Sequence, residues 1–283
     1  MTESNKERVW LISGCSTGFG RDLAELVLAK GEKVVATARN PDTIAHLAEG
    51  HEARCLVLPL DVTRGDQIEA VVAAALDKFG HIDVLVNNAG YGYLAPIEEG
   101  DEAEYRKVFE TNVFGLIALT RAALPGMRER RRGHIINLSS VAGFVGFASS
   151  GFYAGTKFAV EGISESLAAE VKPFGIAVTI VEPSAFRTDF TVRSLQATAS
   201  TITDYAATAD SVIGNLVENA ATHKGDPKRG VAAIYETVNA PEPPLRLMLG
   251  SDAVKLAKMK IASWSEEVAK GEAIAASADY PDA

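Results

Sequence analysis

The stretch VWLISGCSTGFG at residues 9–20 runs an apolar, β-forming segment into three glycines, Gly14, Gly18 and Gly20, and then into helical period over residues 18–30, closed by Gly31. Glycines at a strand-to-helix turn let the backbone approach a charged group closely, and the positive end of the helix attracts an anion such as a pyrophosphate. The spacing differs from the common dinucleotide fingerprint, and a plain structural turn accounts for many such patterns. Its place at the first strand of a βαβ unit favours the binding role.

Outward from this unit the alternation repeats. Strands are expected at 9–13, 33–38, 54–60, 83–86, 133–137, 176–181 and 245–249, and helices at 41–49, 67–79, 102–131, 151–171, 211–222 and 252–270. This rhythm predicts an α/β fold in one domain spanning 1–283: about seven mostly parallel strands, doubly wound with helices on both faces. Residues 184–210, rich in Ser, Thr and Ala, break the rhythm and read as a substrate lid. Residues 271–283 read as a frayed tail. Residues 113–124 are apolar almost all round, and Phe158, Val160, Ile163 and Leu167 of the 151–171 helix cannot all face one sheet. Those surplus apolar faces predict a homodimer or homotetramer.

Composition narrows the function. Of 283 residues, 47% are hydrophobic and 23% charged, so disorder is excluded, and a net charge of −9 without a basic stripe excludes nucleic-acid binding. No stretch approaches the roughly 18 apolar residues of a membrane span and the first ten residues are polar, so a cytoplasmic protein is expected. Cys15 and Cys55 read as small buried residues. Five scattered histidines lack the spacing of a metal site, so none is expected. The basic run at 128–132 suits a helix C-terminus, and Trp264 suits packing or the rim of a substrate mouth.

The glycine spacing, followed by Asn87-Asn88-Ala89-Gly90 after the fourth strand and by Tyr153 with Lys157 four residues on, resembles the short-chain dehydrogenase/reductase family. Asp61 after the third strand, Asn112 in the long helix and Ser140 thirteen residues before Tyr153 agree in order and distance, so the resemblance covers about residues 9–249. It implies a Rossmann-type sheet, a nicotinamide dinucleotide, and hydride transfer to or from a carbonyl carbon. By the same resemblance Gly14, Ser16, Thr17, Gly18, Phe19 and Gly20 surround the cofactor. Asp61 and Val62 lie at the adenine, Asn88, Ala89 and Gly90 line the cofactor, and Thr188, in the loop after Pro183, holds the carboxamide. Ser13 and Ser184 depart from the family's usual Thr and Gly, and Ser184 brings a side chain near the nicotinamide.

The second strand ends in Ala38-Arg39-Asn40. An acidic residue there would bind the ribose hydroxyls of NAD(H); the fixed positive charge of Arg39, with the Ser16 hydroxyl, favours the 2′-phosphate of NADP(H) instead. NADP(H) is therefore the expected cofactor and NAD(H) the alternative.

Carbonyl reduction needs a proton donor near the oxygen and groups that stabilise its charge. Tyr153 suits the donor, and Lys157, one helical turn on, favours its ionisation. The family gives Lys157 a second bond to the nicotinamide ribose, Ser140 a hydrogen bond to the substrate oxygen with Ser139 its rival, and Asn112 a proton-relaying water through Lys157. Asn112 also reads as a satisfied buried Asn that fixes helix packing.

Val141, Phe144, Val145, Phe147 and Phe152 on one side, with Phe186, Phe190 and Leu195 on the other, predict an apolar substrate pocket, with Arg187 and Arg193 solvated. The expected substrate is a bulky, mostly apolar ketone or secondary alcohol, as in the similar branch containing hydroxysteroid and retinol dehydrogenases. An NAD-linked alcohol dehydrogenase and a non-catalytic dinucleotide sensor are the alternatives.

Overall fold

β-branched and aliphatic runs form the strands of the computed structural model, which describes residues 7–198, 200–210, 214 and 220–280. Strands β1 (Val9–Ile12), β2 (Lys33–Ala38), β3 (Cys55–Pro59), β4 (Val84–Asn87), β6 (Gly133–Leu138), β7 (Ile176–Pro183) and β9 (Arg246–Leu249) make one parallel sheet in the order β3-β2-β1-β4-β6-β7-β9. β1 pairs with β2 through Val9 and Lys33 and with β4 through Trp10 and Val84. Both faces of the sheet are covered, so strand residues alternate between two cores. Trp10, Ile12, Val34, Ala36, Val84 and Val86 join one core, and Leu11, Val35, Leu85 and Ile135 the other.

Helices α1 (Gly18–Ala29) and α6 (Pro227–Asn239) pack on the first face through Leu23, Val27, Val231 and Ile234. Helices α2 (Gly65–Phe79) and α4 (Leu116–Arg130) cover the second through Val71, Ala75, Leu119 and Met127. Between α2 and α4 in sequence lies α3 (Glu102–Phe109), and after β6 comes α5 (Gly151–Val171). Among the described residues no helix is long and apolar enough to cross a membrane.

Several expectations are corrected. The helix expected over 102–131 is unbroken from Glu102 to Arg130 but holds a π-helical segment, Glu110–Gly115, pressed against the chain after β3, which separates α3 from α4. At Gly115 a side chain would put its Cβ 2.6 Å from Val62 Cγ2. Within the single chain the 113–124 stretch buries Leu116 and Leu119 in the core and leaves Phe114, like Phe158 of α5, about half exposed, on the outer side that is expected to pack across a symmetry axis. Helix α6 was not expected, although its signals are local, with Asp226 accepting bonds from the Lys228 and Arg229 amides and Pro227 opening the helix. Its Tyr235 hydroxyl donates to Glu32, which also accepts from Trp10 and Arg8 and so ties α6 to the N-terminal ends of β1 and β2. The last helix, α7 (Ser251–Ala276), runs into the stretch expected to fray, because residues 272–276 are good helix formers. The helix expected at 211–222 falls almost wholly outside the described residues.

The aperiodic 184–210 segment is held by contacts from elsewhere. Strand β8 (Leu195–Ala197) pairs in parallel with β5 (Gly92–Leu94), the Tyr93 hydroxyl bonds Thr198, the Thr201 amide donates to Glu99, and the Tyr205 hydroxyl donates to Glu98. Two three-residue strands far apart in sequence carry no readable period.

Candidate active site

The parallel strands all end on one side of the sheet, and there the chain opens into a cavity of about 1170 Å³. The first wall is the glycine turn. Gly14 has φ +74°, and a Cβ on Gly20 would sit 2.3 Å from the Gly14 carbonyl oxygen, so this turn closes only with glycine. The Asn88 amide nitrogen donates to the Ser13 and Gly14 carbonyls at 2.9 Å each, and the Ser13 hydroxyl accepts from the Asn88 and Ala89 backbone amides. The Ser13 departure from the family pattern thus keeps the bonding that a hydroxyl supplies. Thr17, at the start of α1, does not cap the helix with its side chain, leaving first-turn N–H groups without that partner at the cavity wall. Such donors suit the oxygens of a pyrophosphate.

The same cavity is lined by Ser16, Thr17, Gly18, Phe19, Arg39, Asp61, Val62, Asn88, Ala89, Gly90, Pro183 and Thr188, so these expected cofactor residues are brought together. Gly20 stands one position behind this wall. Thr188 faces Gly18 across the cavity, where a Cβ on the glycine would lie 3.7 Å from the threonine Cβ. Phe19 turns inward onto Phe186 with ring centroids 5.0 Å apart. The Ser184 hydroxyl donates to the Leu249 carbonyl at 3.2 Å, which ties this loop to β9. Arg39 is exposed, and no carboxylate pairs with it among the described residues.

At the far end stand three of the four residues expected for the chemistry, Ser140, Tyr153 and Lys157, whereas Asn112 is buried behind the wall. Ser140 lies two residues past β6, its hydroxyl accepting the Ala142 amide at 3.1 Å and bonding the Tyr153 phenol. Ser139, its rival, turns instead toward Glu161. The Lys157 ammonium donates to the Leu138 carbonyl at 2.7 Å and lies 5.7 Å from the Tyr153 ring centre. Burial pushes the Tyr153 phenol up to about 12, the opposite direction to the one expected, and draws Lys157 down to about 8 against the opposing pull of Glu161. Asn112 is fully engaged: its amide group donates to the Tyr91 carbonyl and the Thr156 hydroxyl and accepts from the Tyr91 amide. Thr156 in turn donates to the Tyr153 carbonyl, so Asn112 in the π-helical segment braces the helix that carries Tyr153.

Beyond the expected set, Glu161 of α5 and Glu182 of β7 are both buried, with Arg246 of β9 at 3.4 and 3.3 Å. Burial raises both carboxyls, Glu182 to about 8 with the Glu161 charge adding to the push. The spacing of Lys157 and Glu161 was readable in the sequence, whereas Glu182 and Arg246 arrive only through the sheet.

The substrate end is lined by Val141, Ala142, Phe147, Phe190 and Leu195, with Phe190 5.9 Å from Tyr153 between ring centres. Three expected wall residues are elsewhere: Phe144 and Val145 do not line the cavity, and Phe152 stacks on Tyr105 at 4.8 Å in a separate aromatic cluster. Its aromatic neighbours come from β5 and α3, which the sequence pattern did not join to α5. Arg187 is exposed and donates to the His223 carbonyl, while Arg193 is exposed yet also lines the cavity.

Residues 8–199 match the family model described as short chain dehydrogenase. The chain is 36% identical over 253 residues to Oxidoreductase BOA17 of Botryotinia fuckeliana, covering 88% of this chain and 91% of that protein. It is 36% identical over 260 residues to a 3-ketodihydrosphingosine reductase of Bacteroides thetaiotaomicron, covering 91% and 93%. A crystal structure of a short-chain dehydrogenase from Streptomyces avermitilis superposes with a TM-score of 0.91 at 40% identity, covering 98% of this chain and all of that one.

Proposed function

This chain belongs to the short-chain dehydrogenase family as an NAD(P)-dependent dehydrogenase or reductase, and we propose that it interconverts a bulky, mostly apolar ketone and its secondary alcohol with NADP(H). One observation carries the reading: a single cavity joins a dinucleotide cradle, with Arg39 at its edge, to Tyr153, Ser140 and an apolar wall. The relative from Bacteroides thetaiotaomicron, named for reducing a 3-keto compound, supports the substrate class.

A nicotinamide bound in the cradle supplies or accepts a hydride at the carbonyl carbon. Gly14, Gly18 and the start of α1 would hold the pyrophosphate, Asp61 and Val62 the adenine, Thr188 the carboxamide, Lys157 the ribose, and Arg39 with Ser16 the 2′-phosphate. Ser140 orients the carbonyl oxygen by donating a hydrogen bond. Tyr153, held protonated at neutral pH, gives its proton to that oxygen as the alcohol forms and takes it back in the reverse direction. Lys157 places positive charge beside the phenol as its proton leaves. Phe190, Leu195, Val141 and Phe147 exclude water and favour apolar substituents. The 184–210 segment acts as a lid, and the half-exposed Phe114 and Phe158 pack across a symmetry axis in a homodimer or homotetramer.

The test is nicotinamide absorbance with NADPH and NADH over a panel of ketones. Faster reduction of bulky apolar ketones, with NADPH at least tenfold ahead in kcat/KM, supports the proposal. Preference for small charged acids or for NADH overturns it.

A further inference from the structure

The long helix α7 is packed at its root and bare beyond it. Ala253 and Ala257 are buried against the body, but from Ile261 to Lys270 every residue is exposed. The 16 residues from Ile261 to Ala276 extend about 24 Å at 1.5 Å per residue. A protein helix takes most of its stability from packing an apolar face, and from Ile261 to Lys270 this helix packs none on the body. This one also shows water Ile261 (67% exposed), Trp264 (62%) and Val268 (66%). Val254, Ile261 and Val268 recur every seven residues and Trp264 stands three beyond Ile261, which is the spacing of a helix-pairing seam; the body of the chain itself covers Ala257 at its root.

Charge selects the partner. Lys255, Lys258 and Lys260 lie toward the start of the helix and Glu266, Glu267 and Glu272 toward its end, with Lys270 among them. Lys260 and Glu267 directly precede the seam residues Ile261 and Val268, and neither has an ion pair among the described residues. Two copies laid parallel would bring Glu267 against Glu272 of the other copy. Laid antiparallel, they bring Lys260 against Glu267 twice. A bilayer fits less well, since α7 carries equal numbers of acidic and basic residues and the chain has a net charge of −9.

We propose that α7 pairs antiparallel with α7 of a second copy of this chain, Ile261 of each packing on Trp264 of the other and Lys260 of each facing Glu267 of the other. This surface lies on a different helix from Phe114 and Phe158, and it does not depend on the proposed reaction.

The test reads register. Lys260→Cys and Glu267→Cys chains, produced together with different tags, are oxidised and separated without reductant; the native Cys15 and Cys55 are buried. The expected result is a covalent mixed dimer from the co-produced pair and almost none from either variant alone. Trp264→Glu is expected to abolish the cross-link and halve the mass read by light scattering. Single charge reversal at Lys260 or Glu267 is expected to weaken association several-fold, and the double reversal Lys260→Glu/Glu267→Lys to restore it. No mixed cross-link, equal cross-linking of the single variants, or unchanged mass for Trp264→Glu overturns the proposal. Sedimentation of the wild-type chain with phosphatidylcholine/phosphatidylserine vesicles, lost in Trp264→Glu, overturns it in favour of a bilayer.

Discussion

If NADP(H) is the cofactor as proposed, replacing Arg39 by Ala removes a positive charge that would read the 2′-phosphate. The side chain lies just past the end of β2, lines the cavity and has no ion pair of its own among the described residues, so its loss strands no buried partner. A hydrogen bond to a charged group contributes about 1.5–3 kcal/mol, and the exposure of Arg39 places it in the lower part, roughly 1.5–2 kcal/mol. At about 1.4 kcal/mol per factor of ten, the Kd for NADPH should rise about 10- to 30-fold while that for NADH changes less than about threefold. Fluorescence titration of both dinucleotides against both proteins measures the difference. Raising salt well above 0.1 M, where the Debye length is about 10 Å, should shrink the NADPH-specific part. Equal losses for NADPH and NADH, or a salt-independent gap, would refute the assignment of Arg39 to the phosphate.

The chemistry makes a sharper distinction. Tyr153→Phe should cut turnover by about 10²–10⁴-fold with dinucleotide Kd within about twofold, whereas Lys157→Ala should impair both; near wild-type turnover in the Phe variant would remove Tyr153 from the mechanism. Stability should carry the mark of His134, which is buried with its Nε2 2.9 Å from the Thr179 hydroxyl and is drawn down to about 4 by burial, from 6.5. Its folded pKa lies below the unfolded one, so its contribution is full above about pH 6.5 and lost as pH falls through 4, about 3 kcal/mol in all. Urea unfolding of His134→Gln between pH 7 and 4 should therefore show a shallower fall than wild type, and parallel curves would count against it. For the lid, limited proteolysis should cut within 187–205 in the free protein and be suppressed by NADPH with a substrate analogue; equal protection without ligand would contradict a moving segment.

The strands, the glycine turn and the Tyr153–Lys157 pair were legible in the sequence because each rests on local rules. Alternation or continuous apolar runs mark strands, glycine marks a turn that Cβ would block, and four residues is one helical turn. Helix α6 was legible by the same rules, in Asp226-Pro227 and the spacing of Val231, Ile234 and Tyr235, and was overlooked because a cap and a single apolar stripe followed a long aperiodic stretch. Tertiary structure alone decided the rest. The pairing of β5 with β8 joins residues about a hundred positions apart. The carboxyls of Glu161 and Glu182 share a buried site with Arg246 only because the sheet sets β7 beside β9 and under α5. Sequence spacing expects Lys157 to ease ionisation of Tyr153, yet burial moves the phenol upward, opposed by the Ser140 hydrogen bond. Chain neighbours fix backbone conformation and the residues offered to each face, but desolvation is set by everything that packs around a group, and that is settled only when distant segments meet.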